Sequence, residues 1–373
     1  MKTKLGVVLK IFAAVLLLYM FLVSIGLMGS AFKGFGKGFA QSLIETTSNP
    51  FIGLFIGILA TSIVQSSSTT TSIVVGMVGS GVLGIQCAIP IIMGANIGTT
   101  VTNTLVSLGH VGRKEEFRRA ISAATVHDFF NLICVAVLFP LELATHYLQR
   151  TATAMAAAFK GTGGFHFTSP VKTITKPGVH LFADFAQWIG GSGLAGFILM
   201  LIISFVILFF ALYFIVKVMK SLVVDRAEIV LNNVISKSPI LGLLAGLVFT
   251  IAVQSSSITT SLMIPLVAAG ILTIEAVFPI TIGANIGTTT TAILASFAAD
   301  KESAIIIAFS HFLFNLTGTV FIYPIRICRM IPIRLAKSLG DLAARKRRYA
   351  FMYVFGLFFA LPVLLVLISR LFK

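Results

Sequence analysis

The sequence predicts an all-α polytopic membrane protein: two inverted-topology repeats whose re-entrant hairpins and broken helices meet at a midplane site. Three observations predict it. Of 373 residues, 57% are hydrophobic and only 11% charged, where a soluble domain carries about a quarter charged residues. Two polar blocks interrupt the apolar sequence, Gln65-Ser66-Ser67-Ser68-Thr69-Thr70-Thr71-Ser72 and Gln254-Ser255-Ser256-Ser257-Ile258-Thr259-Thr260-Ser261. Their offset of 189 residues (65 to 254) is shared by Gly94-Ala95-Asn96-Ile97-Gly98-Thr99-Thr100 and Gly283-Ala284-Asn285-Ile286-Gly287-Thr288-Thr289, and by Pro50/Pro239 and Pro90/Pro279. Such self-similarity marks a duplicated half.

Taken in order, residues 1–48 hold a first helix and an interfacial segment. The run 7–27 is long for a signal sequence and no Ala-x-Ala site follows it, so it reads as an uncleaved span. The first repeat, 49–140, has apolar pieces at 51–64, 73–78 and 82–93, each too short to cross a core that needs ~20 residues. Short, Gly-interrupted segments at matching places in two halves point to a transporter binding site. Non-helical backbone at that depth is tolerated only where it is buried or lines a cavity. A charged turn at 113–119 precedes a full span, 120–140, carrying His127-Asp128-Phe129-Phe130-Asn131. Residues 141–237 comprise an external mixed loop to about 186, a connecting span and a charged cytoplasmic linker from 217. The second repeat, 238–324, ends in a span with His311-Phe312-Leu313-Phe314-Asn315, so Phe312 stands where the first copy has Asp128. A basic segment and a final span occupy 325–373.

Charge sets the expected orientation. The turn 113–119 carries four basic and two acidic residues, whereas its counterpart Asp300-Lys301-Glu302 is net acidic. The positive-inside rule puts the first in the cytoplasm and the second outside, with a cytoplasmic N-terminus. The repeats are then inverted. The same rule explains the net charge of +16: the basic residues lie in short segments between apolar runs, not on an aromatic-interleaved face, so nucleic acid is not an expected partner. A porin-like barrel would need alternating segments, which these runs are not. Cys87, Cys134 and Cys328 have no common spacing and read as small buried hydrophobes.

No Lys, Arg, Asp or Glu occurs in 50–109, and only Glu275 in 239–299. The central site is therefore expected to consist of hydroxyls, amides and backbone. Ser and Thr donate to anions or coordinate hard cations through their lone pairs. If the polar blocks open half-helices, exposed N–H groups cradle an anion. A single Ser/Thr cluster or Gly-x-x-x-Gly is more often packing glue, but packing does not explain two copies at one offset. His127 and His311 are as readily interior hydrogen-bonded residues as ligands. Asp128, a lone carboxylate in an apolar span, needs a partner, most simply a cation. Helix-end dipoles contribute only ~0.3–2 kcal/mol each, so a divalent anion at this depth calls for co-bound cations, and these oxygens suit sodium. The rival reading is an intramembrane hydrolase with Ser66 or Ser255 as nucleophile and His127 as base. It needs one asymmetric pair, and the block is duplicated.

The paired Gln-Ser-Ser-Ser and Gly-Ala-Asn-Ile-Gly-Thr-Thr motifs resemble the type II sodium/phosphate cotransporters. So do Glu116-Phe117-Arg118-Arg119-Ala120, Ala124-Thr125-Val126-His127-Asp128-Phe129-Phe130-Asn131 and Ile331-Pro332-Ile333-Arg334-Leu335-Ala336-Lys337-Ser338-Leu339-Gly340. The resemblance implies inverted repeats and sodium-driven import of inorganic phosphate, mainly divalent, with no cofactor beyond the coupling ion. Phosphate-site candidates are Ser66, Ser67, Ser68, Ser255, Ser256, Ser257, Asn96 and Asn285. Sodium-site candidates are Gln254, Ser255, Thr288 and Thr291, with Gln65 and Thr104 on the pseudo-symmetric side. The aspartate at Asp128 implies the electrogenic mode, three sodium ions balancing phosphate and one carboxylate. Against animal members, the external loop is short and lacks their cysteines and glycosylation signals, and their tail and extra helix are missing. That suggests a bacterial member in the inner (plasma) membrane. A phosphate exporter, or a sodium-coupled carrier of another oxyanion, is the alternative; a homodimer is left open.

Overall fold

The computed structural model describes residues 4–36, 38–39, 41, 49–161, 170–235, 238–299 and 301–371, and among them there is no strand. Seven helices are long and apolar enough to cross a membrane, which makes this a multi-pass membrane protein. Helix α1 (Lys4–Gly34) is followed by α2 (Pro50–Val64), α3 (Ser67–Ser80), α4 (Ile85–Gly98) and α5 (Val101–Ser107). Then come α6 (Lys114–Thr145), α7 (Tyr147–Gly161), α8 (Pro170–Gly190) and α9 (Leu194–Ile235). The second copy contributes α10 (Pro239–Val253), α11 (Ser256–Ala268), α12 (Ile274–Ala299) and α13 (Glu302–Ile322). Helices α14 (Arg326–Arg345), α15 (Arg348–Phe355) and α16 (Leu361–Leu371) close the described chain, with a π-helical turn at Gly356–Ala360 between the last two.

The polar blocks are where helices break. Helices α2, α3, α10 and α11 have 15, 14, 15 and 13 residues, roughly 20 Å each at 1.5 Å per residue against a core of ~30 Å. In each copy the first short helix packs on the one bearing Gly-Ala-Asn-Ile-Gly: α2 on α4, and α10 on α12. Glycine is what permits it. A Cβ added at Gly94 would run into the carbonyl oxygen of Leu54, and one at Gly283 into that of Leu243. These glycines therefore serve helix–helix approach.

The copies exchange their second arms. Helix α3 packs on α12 and α13 of the second copy, while α11 packs on α5 and α6 of the first. Gly79 lies against Ala299, and Ser303 Oγ donates to the Val78 carbonyl (3.3 Å). Conversely Gly270 lies against the Arg119 guanidinium, and Lys337 reaches Glu275 (2.6 Å). Thus the turn after α3 sits at the C-terminal end of α12, and the matching turn after α11 sits at its N-terminal end. Twenty-six residues, about 39 Å, separate the two ends.

Two segments differ from expectation. Residues 141–186 are not a mixed loop: α7 and α8 occupy most of the stretch, α8 amphipathic and laid against α1 and α9. Its polar residues recur around an apolar face, which suits a helix half-covered by neighbours. Nor is 217 onward a linker, because α9 continues as helix to Ile235. Helices α1 and α9 pack antiparallel, with Gly34 against Phe197 at one end. Of the interfacial segment expected before residue 49, residues 29–34 continue α1, while 37, 40 and 42–48 lie outside the described residues.

Candidate functional site

Each Gln-Ser pair makes the break itself. Gln65 and Gln254 are left-handed (φ 56° and 58°), and their N–H groups cap Thr61 and Thr250. Ser66 and Ser255 are extended and begin the next helix. Ser66 Oγ accepts from Thr69 N (3.2 Å) and from the Thr69 hydroxyl (2.9 Å), satisfying one of the donors a helix start leaves open. A non-glycine residue in the left-handed region costs about 1–2 kcal/mol. Both copies bear that strain at the same glutamine.

The two breaks face one cavity of about 500 Å3. Gln65, Ser66, Ser67, Ser68 and Thr69 line it from the first copy, Gln254, Ser255, Ser256 and Ser257 from the second, and α9 lines a third side. Two helix N-termini thus converge with their hydroxyls and open N–H groups, an arrangement suited to an oxyanion. The third side carries Lys217 and Lys220. This corrects the expectation of a site made of hydroxyls, amides and backbone alone: both lysines fall in the stretch expected as a linker.

Beside the cavity the copies are joined by side chains. Gln254 Oε1 accepts from Thr291 Oγ1 (2.9 Å), and Ser68 Oγ reaches the same hydroxyl (3.4 Å). Gln254 Nε2 donates to the Ile251 carbonyl (2.6 Å) and toward Thr290 Oγ1 (3.4 Å). Gln254 and Thr291 therefore come together as a cluster of neutral oxygens fit for a small hard cation. Thr288 is on the same helix but bonds the Ala284 carbonyl (3.1 Å). On the other side, Thr104 Oγ1 reaches only the Thr100 carbonyl (3.5 Å), and no bond joins it to Gln65 among the described residues. Asn103 is the tie there: its Oδ1 accepts from Thr260 (2.8 Å) and Ser261 (3.2 Å). No sequence signal had distinguished Asn103 or Thr290.

Asn96 and Asn285 do not line the cavity. Asn285 Nδ2 donates to Asn131 Oδ1 and Asn315 Oδ1, both at 2.9 Å, and Asn131 Nδ2 donates to the Asn96 carbonyl (2.8 Å). Asn96 Oδ1 faces His311 Nε2 (3.4 Å). Buried amides from four helices interlock, and each repeated Phe-Asn supplies one. His127 lies against Asn285 without a well-formed hydrogen bond, so it is not paired with Ser66 or Ser255.

Asp128 is fully buried. Its Oδ2 accepts from the Tyr353 hydroxyl (2.9 Å), Thr100 lies alongside, and Oδ1 has no hydrogen-bond partner among the described residues. A buried carboxylate oxygen left open beside a hydroxyl suits a cation. Tyr353, on the last apolar stretch, carried no motif to announce it.

Comparison with known proteins agrees with this architecture. The family model described as Na+/Pi-cotransporter matches residues 20–166 and 207–330. The chain is 36% identical over 436 residues to sodium-dependent phosphate transport protein 2B of Pongo abelii, covering 93% of this chain and 63% of the relative. It is 36% identical over 427 residues to sodium-dependent phosphate transport protein 2A of Rattus norvegicus, covering 94% of this chain and 66% of the relative. The chain thus spans a little under two thirds of the length of these relatives. No solved structure matches it significantly. Two family-model segments over most of the chain, and relatives more than one third identical across nearly all of it, place this chain in the Na+/Pi-cotransporter family.

Proposed function

We propose that this chain is a secondary active transporter that couples inward sodium movement to uptake of inorganic phosphate, mainly the divalent ion. One observation carries the reading: both Gln-Ser-Ser-Ser breaks, with their helix N-termini, meet at a single cavity large enough for a partly hydrated oxyanion. Ser66, Ser67, Ser68, Ser255, Ser256 and Ser257 hold phosphate. Gln254, Thr291 and Ser255 hold one sodium ion, with Thr288 behind them. Gln65 and Thr104 flank the pseudo-symmetric position. Asn96 and Asn285 act by fixing the helices that carry the site. Asp128 takes a third sodium, so three sodium ions offset two phosphate charges and one carboxylate.

The repeats are read as inverted in the membrane, because matched turns occupy opposite ends of α12. The N-terminus, the 113–119 turn and α14 lie on the cytoplasmic side of a plasma membrane. Lys217 and Lys220, which line the cavity near the end of the α9 apolar span, are placed on that same side. Transport needs no organic cofactor. A hydrolase is disfavoured by the geometry: Ser66 Oγ is engaged with Thr69, and His127 is not within a bond of it.

The test is radiolabelled phosphate uptake into proteoliposomes with and without an inward sodium gradient, the potential clamped by potassium and valinomycin. Sodium-dependent uptake that rises at inside-negative potential is expected. Sodium-dependent, voltage-independent uptake would remove Asp128 from the charge count. Uptake indifferent to sodium would overturn the coupling and favour an exporter or a carrier of another oxyanion.

A further inference from the structure

We infer that Lys217 and Lys220 are the cationic wall of the phosphate cavity, recruiting the doubly charged anion and holding it against the two serine helices. The inference rests on the phosphate reading above and adds residues to it. The lining of the cavity otherwise consists of hydroxyls, amides and apolar side chains. No carboxylate lines it among the described residues, and two ammonium groups stand on one wall. They are three residues apart on α9, hence on one face of the helix. Lys217 Nζ sits 5.8 Å from the Phe214 ring centroid, a contact that orients a cation without neutralising it. Tyr213 from the preceding turn lines the same wall.

Physical magnitudes favour a role for them. Helix dipoles each supply a fraction of a unit charge. Within a Debye length, about 8 Å at physiological salt, full charges beside a dianion are little screened. Both lysines are exposed while lining the cavity, so they stay hydrated and accessible to an incoming anion. A monoanion gains half as much from the same wall, so the pair also biases the site toward doubly charged oxyanions.

An equally exposed lysine at the end of an apolar span can also serve only as a topological anchor, and the experiment separates the two roles. Purified protein in detergent, where topology no longer matters, is titrated with radiolabelled phosphate at saturating sodium. Lys217→Gln/Lys220→Gln is expected to weaken phosphate binding on the order of tenfold. Lys217→Arg/Lys220→Arg should restore it to within about twofold, and the sodium activation midpoint at saturating phosphate should stay unchanged. Lys10→Gln, a lysine outside the cavity lining, should bind like the parent. Added choline chloride should weaken parental binding more than that of the glutamine variant. Binding by the glutamine variant equal to the parent's would overturn the inference while leaving phosphate transport intact. So would an arginine variant as weak as the glutamine one. A parent that binds no phosphate at all would instead sink the functional reading on which this one rests.

Discussion

Tyr353 donates a 2.9 Å hydrogen bond to Asp128 Oδ2 and so ties the last apolar stretch of the chain to the one carboxylate buried in the first repeat. The tyrosine ring packs on Phe129 and Phe358, and a π-helical turn at Gly356–Ala360 follows it directly. Such turns are rare and concentrate at functional sites. In the second copy the counterpart of Asp128 is Phe312, so this connection exists on one side of the pseudo-symmetric pair alone. At that pair of positions a carboxylate is present on one side only.

Removing that hydroxyl should loosen Asp128. A hydrogen bond to a charged group is worth about 1.5–3 kcal/mol. Tyr353→Phe is therefore expected to raise the sodium activation midpoint about tenfold or more, while the charge moved per phosphate stays the same. Asp128→Gly should abolish net current and leave some tracer uptake. Paired current and tracer records decide both; wild-type sodium activation in Tyr353→Phe would mean that the tyrosine only packs.

Gln254 and Thr288 should part company. The glutamine joins Thr291 and Thr290 across the site, whereas the Thr288 hydroxyl is engaged with its own helix. Gln254→Ala is expected to weaken sodium activation about tenfold with a smaller change in phosphate affinity, and Thr288→Val to do the same less severely. A larger effect from Thr288→Val would place the sodium ion elsewhere.

The helix-packing glycines should be intolerant, unlike the turn glycines. Gly94→Ala and Gly283→Ala drive a methyl into a facing carbonyl oxygen, and overpacking of this kind costs about 1–3 kcal/mol. Gly109→Ala and Gly112→Ala meet nothing within 4 Å and should melt like the parent. Thermal melting of the purified variants checks this. If Gly94→Ala and Gly109→Ala were equally stable, the close approach of α2 and α4 would not be needed.

Strain at the breaks should trade against function. Gln65→Gly removes the penalty of a φ of 56° and about 1 kcal/mol of strain goes with it. The variant should be at least as stable as the parent and transport more slowly, because the amide no longer lines the cavity. Unimpaired phosphate uptake would show that the glutamine serves the backbone alone.

Much of this was legible in the residues. An apolar composition with short interrupted runs dictates a helical membrane protein, since backbone polar groups in hydrocarbon must be satisfied within the segment. The repeated Gln-Ser-Ser-Ser located the breaks because a polar block in a bilayer needs a cavity. The constant offset announced that the two blocks belong together. Periodicity misread the stretch 141–186 and the end of α9, where an amphipathic or charged helix looks like a loop if its covering neighbours are unknown.

What only the tertiary structure decided is who meets whom. That Lys217 and Lys220 face the serines, that Tyr353 reaches Asp128 across 225 residues, and that Asn96 and Asn285 brace helices away from the cavity all depend on contacts distant in sequence. Local pattern is set by each segment's own need to bury apolar surface and satisfy its backbone. The partner of a polar side chain is set by which faces of different helices pack together, and no spacing along one chain records that.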